Sequence, residues 1–113
     1  MKSFLKKYLH TVVKVVIDNP SGSKHPNFNA IFPVNYGCLP NTKAPDGEEV
    51  DAYVVGVDKP LKEFEGEVIA VIHRLNDDDD KLVVAPKGKN FSDDEIKKLT
   101  NFREKYFRSE IIR

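Results

Sequence analysis

Short runs of β-branched and apolar residues, each closed by turn formers, constrain this chain more than any other feature. Thr11-Val12-Val13-Lys14-Val15-Val16-Ile17 ends at Asp18-Asn19-Pro20, and Val50–Val57 ends at Asp58-Lys59-Pro60. Glu67–Leu75 leads through Asn76-Asp77-Asp78-Asp79-Asp80-Lys81 to Leu82-Val83-Val84-Ala85, where Pro86 ends the pairing. Stiff β-branched side chains suit a pleated surface, and proline cannot donate to a strand ladder. Phe28–Phe32 and Asn35–Pro40 read as two further short extended pieces. About five short strands at regular spacing favour a small closed or partly closed barrel over βαβ units.

The helical signals are few. Ser92-Asp93-Asp94-Glu95 is a capping box, with acids where the helix dipole favours them. A helix is predicted from there to about Phe107, with Ile96, Leu99, Phe102 and Tyr106 as the stripe that lies on the sheet. Ser3–Leu9 predicts one or two helical turns. The expected class is mainly β within α+β: a five-stranded barrel, one C-terminal helix and a short N-terminal helix.

With 113 residues the chain fits a single domain, 1–113. The 18 basic and 18 acidic side chains cancel, which argues against a general nucleic-acid binder. Cys38 is the single cysteine, so neither an internal disulfide nor a thiolate metal cage is available, and a cytoplasmic setting is the expectation. The longest apolar runs, such as Val68–Ile72, are strand-sized, far short of the roughly 20 residues a bilayer needs.

Candidate chemistry concentrates in Ala44-Pro45-Asp46-Gly47-Glu48-Glu49-Val50-Asp51, with four carboxylates in six residues. Two carboxylates about 4 Å apart repel by roughly 4 kcal/mol at an effective dielectric of about 20, so a fold that converges them calls for a cation. The second acidic run, Asp77–Asp80, also abuts a strand. Oxygen ligands suit a hard cation such as Mg²⁺, whereas zinc would ask for more Cys and His. The bases Lys14, Lys24, Lys81, Arg103 and Arg108 are available to neutralise a phosphate. The alternative for each acidic run is a solvated turn. His10, His25 and His73 are isolated, which favours surface or hydrogen-bonded roles, and Tyr36, Tyr53 and Tyr106 read first as packing residues with a satisfied hydroxyl.

At Phe32-Pro33-Val34-Asn35-Tyr36-Gly37-Cys38-Leu39-Pro40-Asn41-Thr42, followed by Ala44–Asp51, the sequence resembles the soluble family I inorganic pyrophosphatases. The resemblance extends through Pro60-Leu61, the Gly66–Leu75 strand and Asp79–Pro86, covering about residues 14 to 110. It implies an OB-type barrel with flanking helices, Mg²⁺-dependent hydrolysis of pyrophosphate in the cytoplasm, and a homo-oligomer. Carried over by position, it implies Asp46, Asp51, Asp77 and Asp79 as metal ligands and Glu48 as the base beside the attacking water. Lys14, Lys24, Tyr36, Lys81 and Tyr106 match phosphate-binding positions, and Arg108 adjoins another that Phe107 occupies. Glu49 is expected to be solvated. The sequence departs from the family at Glu48, one methylene longer than the family's aspartate, at Lys24 for an arginine, and at Val16 for a glutamate. These departures leave open an alternative from another class, a non-catalytic or weakly active module that binds divalent metal and phosphate. Neither nucleic acid nor membrane is an expected partner.

Overall fold

The computed structural model describes residues 3–24, 31–77 and 79–113. Among these residues six strands form one sheet: β1 (Val12–Asn19), β2 (Asn35–Leu39), β3 (Val50–Val54), β4 (Glu63–Arg74), β5 (Lys81–Ala85) and β6 (Ser109–Ile112). Their order is β1-β2-β3-β5-β4-β6, and a further β1–β4 pairing closes the first five into a barrel. All pairings are antiparallel except β3 with β5, so the barrel is mixed, as the OB-like expectation requires.

Alternation along the strands sorts the apolar residues into two cores. Val50, Ala52 and Val54 join Val15, Val68, Val71, Leu82 and Val84 in the first, which fills the barrel and is capped by Leu5. Leu5 comes from a 3-10 helix, Phe4–Tyr8, whose N-cap Ser3 accepts from the Leu5 amide. The second core, with Tyr36, Tyr53, Val83 and Ala85, lies on the opposite face. There α1 (Asp93–Glu104), the single α-helix among the described residues, inserts Ile96, with Leu99 and Phe102 packed beside it.

The capping box is present in full: Ser92 Oγ accepts from the Glu95 amide at 3.1 Å, and Glu95 Oε1 from the Ser92 amide at 2.8 Å. The helix stops at Glu104 rather than Phe107, so Tyr106 leaves the predicted stripe and is 55% exposed. The chain instead turns to add β6 to the C-terminal half of β4, a strand the sequence reading did not anticipate. Its four residues are too few to show a period, and it exists through pairing with Val71–Arg74. The predicted Phe28–Phe32 strand lies mostly outside the described residues; within them, Ile31 makes an isolated bridge with Lys24.

The Asn-Tyr-Gly segment has a local structural reason. The fully buried Asn35 side chain accepts from the Ser21 and Leu61 amides and donates to the Lys59 carbonyl, each at 3.0 Å, tying two loops together. Gly37 lies so close to β1 that a Cβ there would be 1.9 Å from the Val16 carbonyl oxygen. Between them, Tyr36 is directed into the second core against Tyr53, ring centroids 5.0 Å apart.

Candidate active site

The site is assembled where β3 and β5 run side by side. Parallel pairing sets Asp51 opposite Lys81, and the β4–β5 hairpin brings Asp79 just ahead of Lys81. The Lys81 ammonium, fully buried, lies 2.8 Å from Asp51 Oδ2 and 2.9 Å from Asp79 Oδ2. It is also 5.4 Å from the centre of the Tyr36 ring. Burial by itself would push the ammonium pKa down, but the adjacent Tyr36 oxygen and the carboxylates of Asp51 and Asp79 outweigh it and hold Lys81 above its ordinary value. Burial likewise disfavours the charged form of Asp79, and Lys81, followed by Arg74 and Arg103, reverses that and holds its carboxyl below the usual range. Tyr36 is pushed up, chiefly by burial, and remains a neutral phenol.

Above this ion triad opens a shallow cavity of about 350 Å³ lined by Asp18, Cys38, Asp46, Glu48, Glu49, Asp51 and Asp79. The Asp46 side chain accepts from the Glu48 amide at 3.0 Å, a turn stabilised by an aspartate bonding its own backbone two residues on. Glu49 is not merely solvated as expected: its carboxylate accepts from Cys38 Sγ at 3.3 Å and from the Asn41 amide at 3.2 Å. Burial, then Glu49 and Asp18, push the Cys38 thiol up to about 12.

Six carboxylates face this cavity, and Lys81 compensates one formal charge of the Asp51–Asp79 pair. The surplus of oxygen donors fits a hard divalent cation. Among the described residues, however, no three His, Cys, Asp or Glu already converge as a metal cage. The counter-charge that the acidic run calls for is supplied to Asp51 and Asp79 by lysine, and the Asp46 and Glu48 side chains are exposed.

The remaining expected residues are distributed less tightly. Asp77 is not on the cavity wall: its Oδ1 accepts from the Asp79 amide at 2.7 Å and its Oδ2 lies 3.8 Å from Arg74. Asp78 lies outside the described residues. Lys14 shares an exposed face with Val12 and Val16 and pairs with Glu63 at 3.2 Å. Lys24 is exposed, and Arg108 lines a separate cavity between α1 and β6. The Tyr106 ring lies near Lys105 rather than on the acidic wall. Arg103, weighed as a base, stacks on Tyr36 with its guanidinium 4.7 Å from the ring centre. His73 is hydrogen-bonded, 2.9 Å from Asp80 Oδ2, in keeping with the role expected for an isolated histidine. Asp18 is an acidic residue of the cavity wall that sequence reasoning missed. It follows Val16 by two on β1 and so shares its face, and the period-2 rule would have shown that.

The fold and the site define a class: a small OB-like barrel that carries an acid-lined cavity over a buried, carboxylate-paired lysine. The model of the inorganic pyrophosphatase family matches residues 13–112, and the chain belongs to that family of hydrolases. Among solved structures, it is similar to the inorganic pyrophosphatase of Helicobacter pylori at 20% identity and a TM-score of 0.70, covering 89% of this chain and 84% of that one. It is similar to that of Ehrlichia chaffeensis at 18% identity and a TM-score of 0.69, covering 88% and 83%. For the Neisseria gonorrhoeae inorganic pyrophosphatase the values are 25% and 0.58, covering 80% and 70%. Comparison with curated proteins found no match. Among the described residues, no helix is long and apolar enough to cross a membrane.

Proposed function

We propose that the chain hydrolyses inorganic pyrophosphate to two phosphates at the acidic cavity, using Mg²⁺. The observation that carries this reading is the buried Lys81 ammonium held between Asp51 and Asp79 beneath a wall of further carboxylates. Asp46, Asp51 and Asp79, with Asp18 beside them, are the carboxylates that would hold the metal. Bound there, the metal would polarise phosphoryl oxygens and lower the pKa of the attacking water.

The chain's own residues do the rest. Glu48, exposed at the rim, accepts the proton of the attacking water. The water oxygen bonds to one phosphorus as the bridging P–O bond breaks, and the bridging oxygen leaves with the second phosphate. Lys81, buried beneath the carboxylates, offsets charge that builds on the leaving group, and Tyr36 packs beside it as a neutral phenol. Neither a covalent intermediate nor a redox step is needed. We take the protein to act as a single domain in the cytoplasm, as a homo-oligomer.

Phosphate release from pyrophosphate and Mg²⁺, compared with an Asp51→Asn variant, tests the proposal; equal release by the two sinks it. One observation favours the weaker alternative of a metal and phosphate binding module. Lys14 is engaged with Glu63, and Lys24 and Arg108 are absent from the cavity wall, so the phosphate grip is only partly assembled. Calorimetric binding of Mg²⁺ and pyrophosphate without turnover would select that reading.

A further inference from the structure

Arg74, the last residue of β4, lines no part of the acidic cavity, yet its guanidinium is bound to the elements around it on three sides. It is only 3% exposed. Its Nε and Nη2 donate to the two oxygens of Glu104 on α1, at 3.1 and 2.7 Å, and the Tyr53 hydroxyl donates to the same Glu104 Oε2 at 2.7 Å. The guanidinium lies 3.7 Å from the centre of the Phe107 ring. A bidentate pair and a stacked ring together fix its plane, which directs the remaining nitrogen, Nη1, at the hairpin tip. Nη1 lies 3.7 Å from Asp79 Oδ2, the oxygen that Lys81 contacts, and 3.8 Å from Asp77 Oδ2. The Arg74 amide also donates to Asp80 Oδ1 at 2.9 Å.

Asp79 thus stands between two cations anchored on different elements: Lys81 through Asp51 on β3, and Arg74 through Glu104 on α1. We infer that Arg74 is a positioning residue: held by Glu104, Tyr53 and Phe107, it fixes the Asp79 carboxylate in the orientation from which it ligates the divalent cation. This rests on the pyrophosphatase reading. At 3.7 Å the guanidinium steers the carboxylate without a direct hydrogen bond, so Arg74 itself takes up no lone pair of Asp79. Lysine would bring a point charge without the fork that fixes the direction. A plainer role is also compatible with the Arg74–Glu104 pair, namely fastening α1 to the barrel, and the test must separate the two.

Three proteins do so: the wild type, Glu104→Gln, and the double variant Arg74→Gln/Glu104→Gln, which leaves neither buried charge stranded. Thermal unfolding is measured on each, with calorimetric affinity for Mg²⁺ and the kcat and KM for pyrophosphate. Glu104→Gln is expected to lower Tm and, with Arg74 still stacked on Phe107 and facing Asp79, to weaken Mg²⁺ binding less than the double variant does. The double variant is expected to have a similar Tm but to bind Mg²⁺ roughly tenfold more weakly, as when a group that orients a metal ligand is removed, with kcat reduced and KM little changed. If its Mg²⁺ affinity equals that of Glu104→Gln, the positioning role is overturned and Arg74 only fastens the helix. Should the double variant fail to fold, Arg74→Lys gives the same reading: weakened Mg²⁺ binding in a natively folded protein supports the inference, and unchanged binding overturns it. A wild type that binds no Mg²⁺ removes the pyrophosphatase reading itself and this inference with it, so the two failures are distinguished by that first arm.

Discussion

Asp51 and Lys81 are register partners on parallel strands, and the Lys81 ammonium reaches Asp51 Oδ2 at 2.8 Å. Barrel closure is what makes them neighbours, since β3 and β5 are separated in the chain by the whole of β4. Local sequence places an acid at the start of one strand and a base at the start of the other, and the parallel β3–β5 pairing turns that coincidence into an ion pair.

Replacing Asp51 with asparagine leaves a fully buried ammonium with Asp79 as its remaining carboxylate. Breaking one arm of such a buried group costs about 1–3 kcal/mol. Urea unfolding without added metal checks this: the midpoint should fall with the slope unchanged. An unaltered midpoint would mean that Lys81 is solvated in a way its burial does not suggest.

Gly37 is required by close approach. A Cβ placed 1.9 Å from the Val16 carbonyl oxygen forces β1 and β2 apart, so Gly37→Ala should destabilise the barrel by roughly 3 kcal/mol or more. A circular-dichroism melt that stays within a few degrees of the wild type would contradict this close strand spacing.

Ser92→Ala removes the acceptor for the Glu95 amide and half of the capping box. A loss of about 1 kcal/mol is expected, equivalent to roughly 4 °C in Tm for a domain of this size. Hydrolysis at room temperature should be unchanged, because Ser92 lies outside the acidic cavity. Thermal unfolding and phosphate release measured on the same sample separate the two effects.

The pH response of Cys38 follows from the sign of its shift. A pKa raised from 9.0 to about 12 keeps the thiol protonated, with roughly one part in 10⁴ as thiolate at pH 8. Iodoacetamide alkylation of the folded protein should therefore keep rising about tenfold per pH unit beyond the point where urea-unfolded protein levels off near pH 9. Folded protein that levels off near the same pH would show that burial and Glu49 do not hold the proton on Cys38.

Much of this fold was legible in the residues. The run Thr11–Ile17, the hairpin around the acidic turn and the Ser92–Glu95 box each carry a local physical signal, and each is present in the structure. The helix was read too long because Tyr106 continues the apolar spacing past Glu104. What ends the helix is tertiary: the turn that follows sends the chain to pair with β4, and Phe107 meets the Arg74 guanidinium. The site was legible as a list of acids and lysines, but not as an arrangement. Lys14 turns outward to Glu63 across the β1–β4 pair, while Asp18 and Cys38 join the cavity from β1 and β2.

The sequence by itself determined the strand-forming segments, the helix cap, the glycine on which close packing depends, and a set of acids and lysines whose chemistry suits a metal and a phosphate. Periodicity, capping and steric freedom are local, and they act on residues a few positions apart. Only the tertiary structure decided which acids share a cavity, that Lys81 rather than a solvent-facing lysine neutralises Asp51 and Asp79, and that Arg74 ties the hairpin tip to α1. Those relations depend on strand order and register, and a one-residue slip in either β3 or β5 would point Asp51 or Lys81 to the opposite face of the sheet.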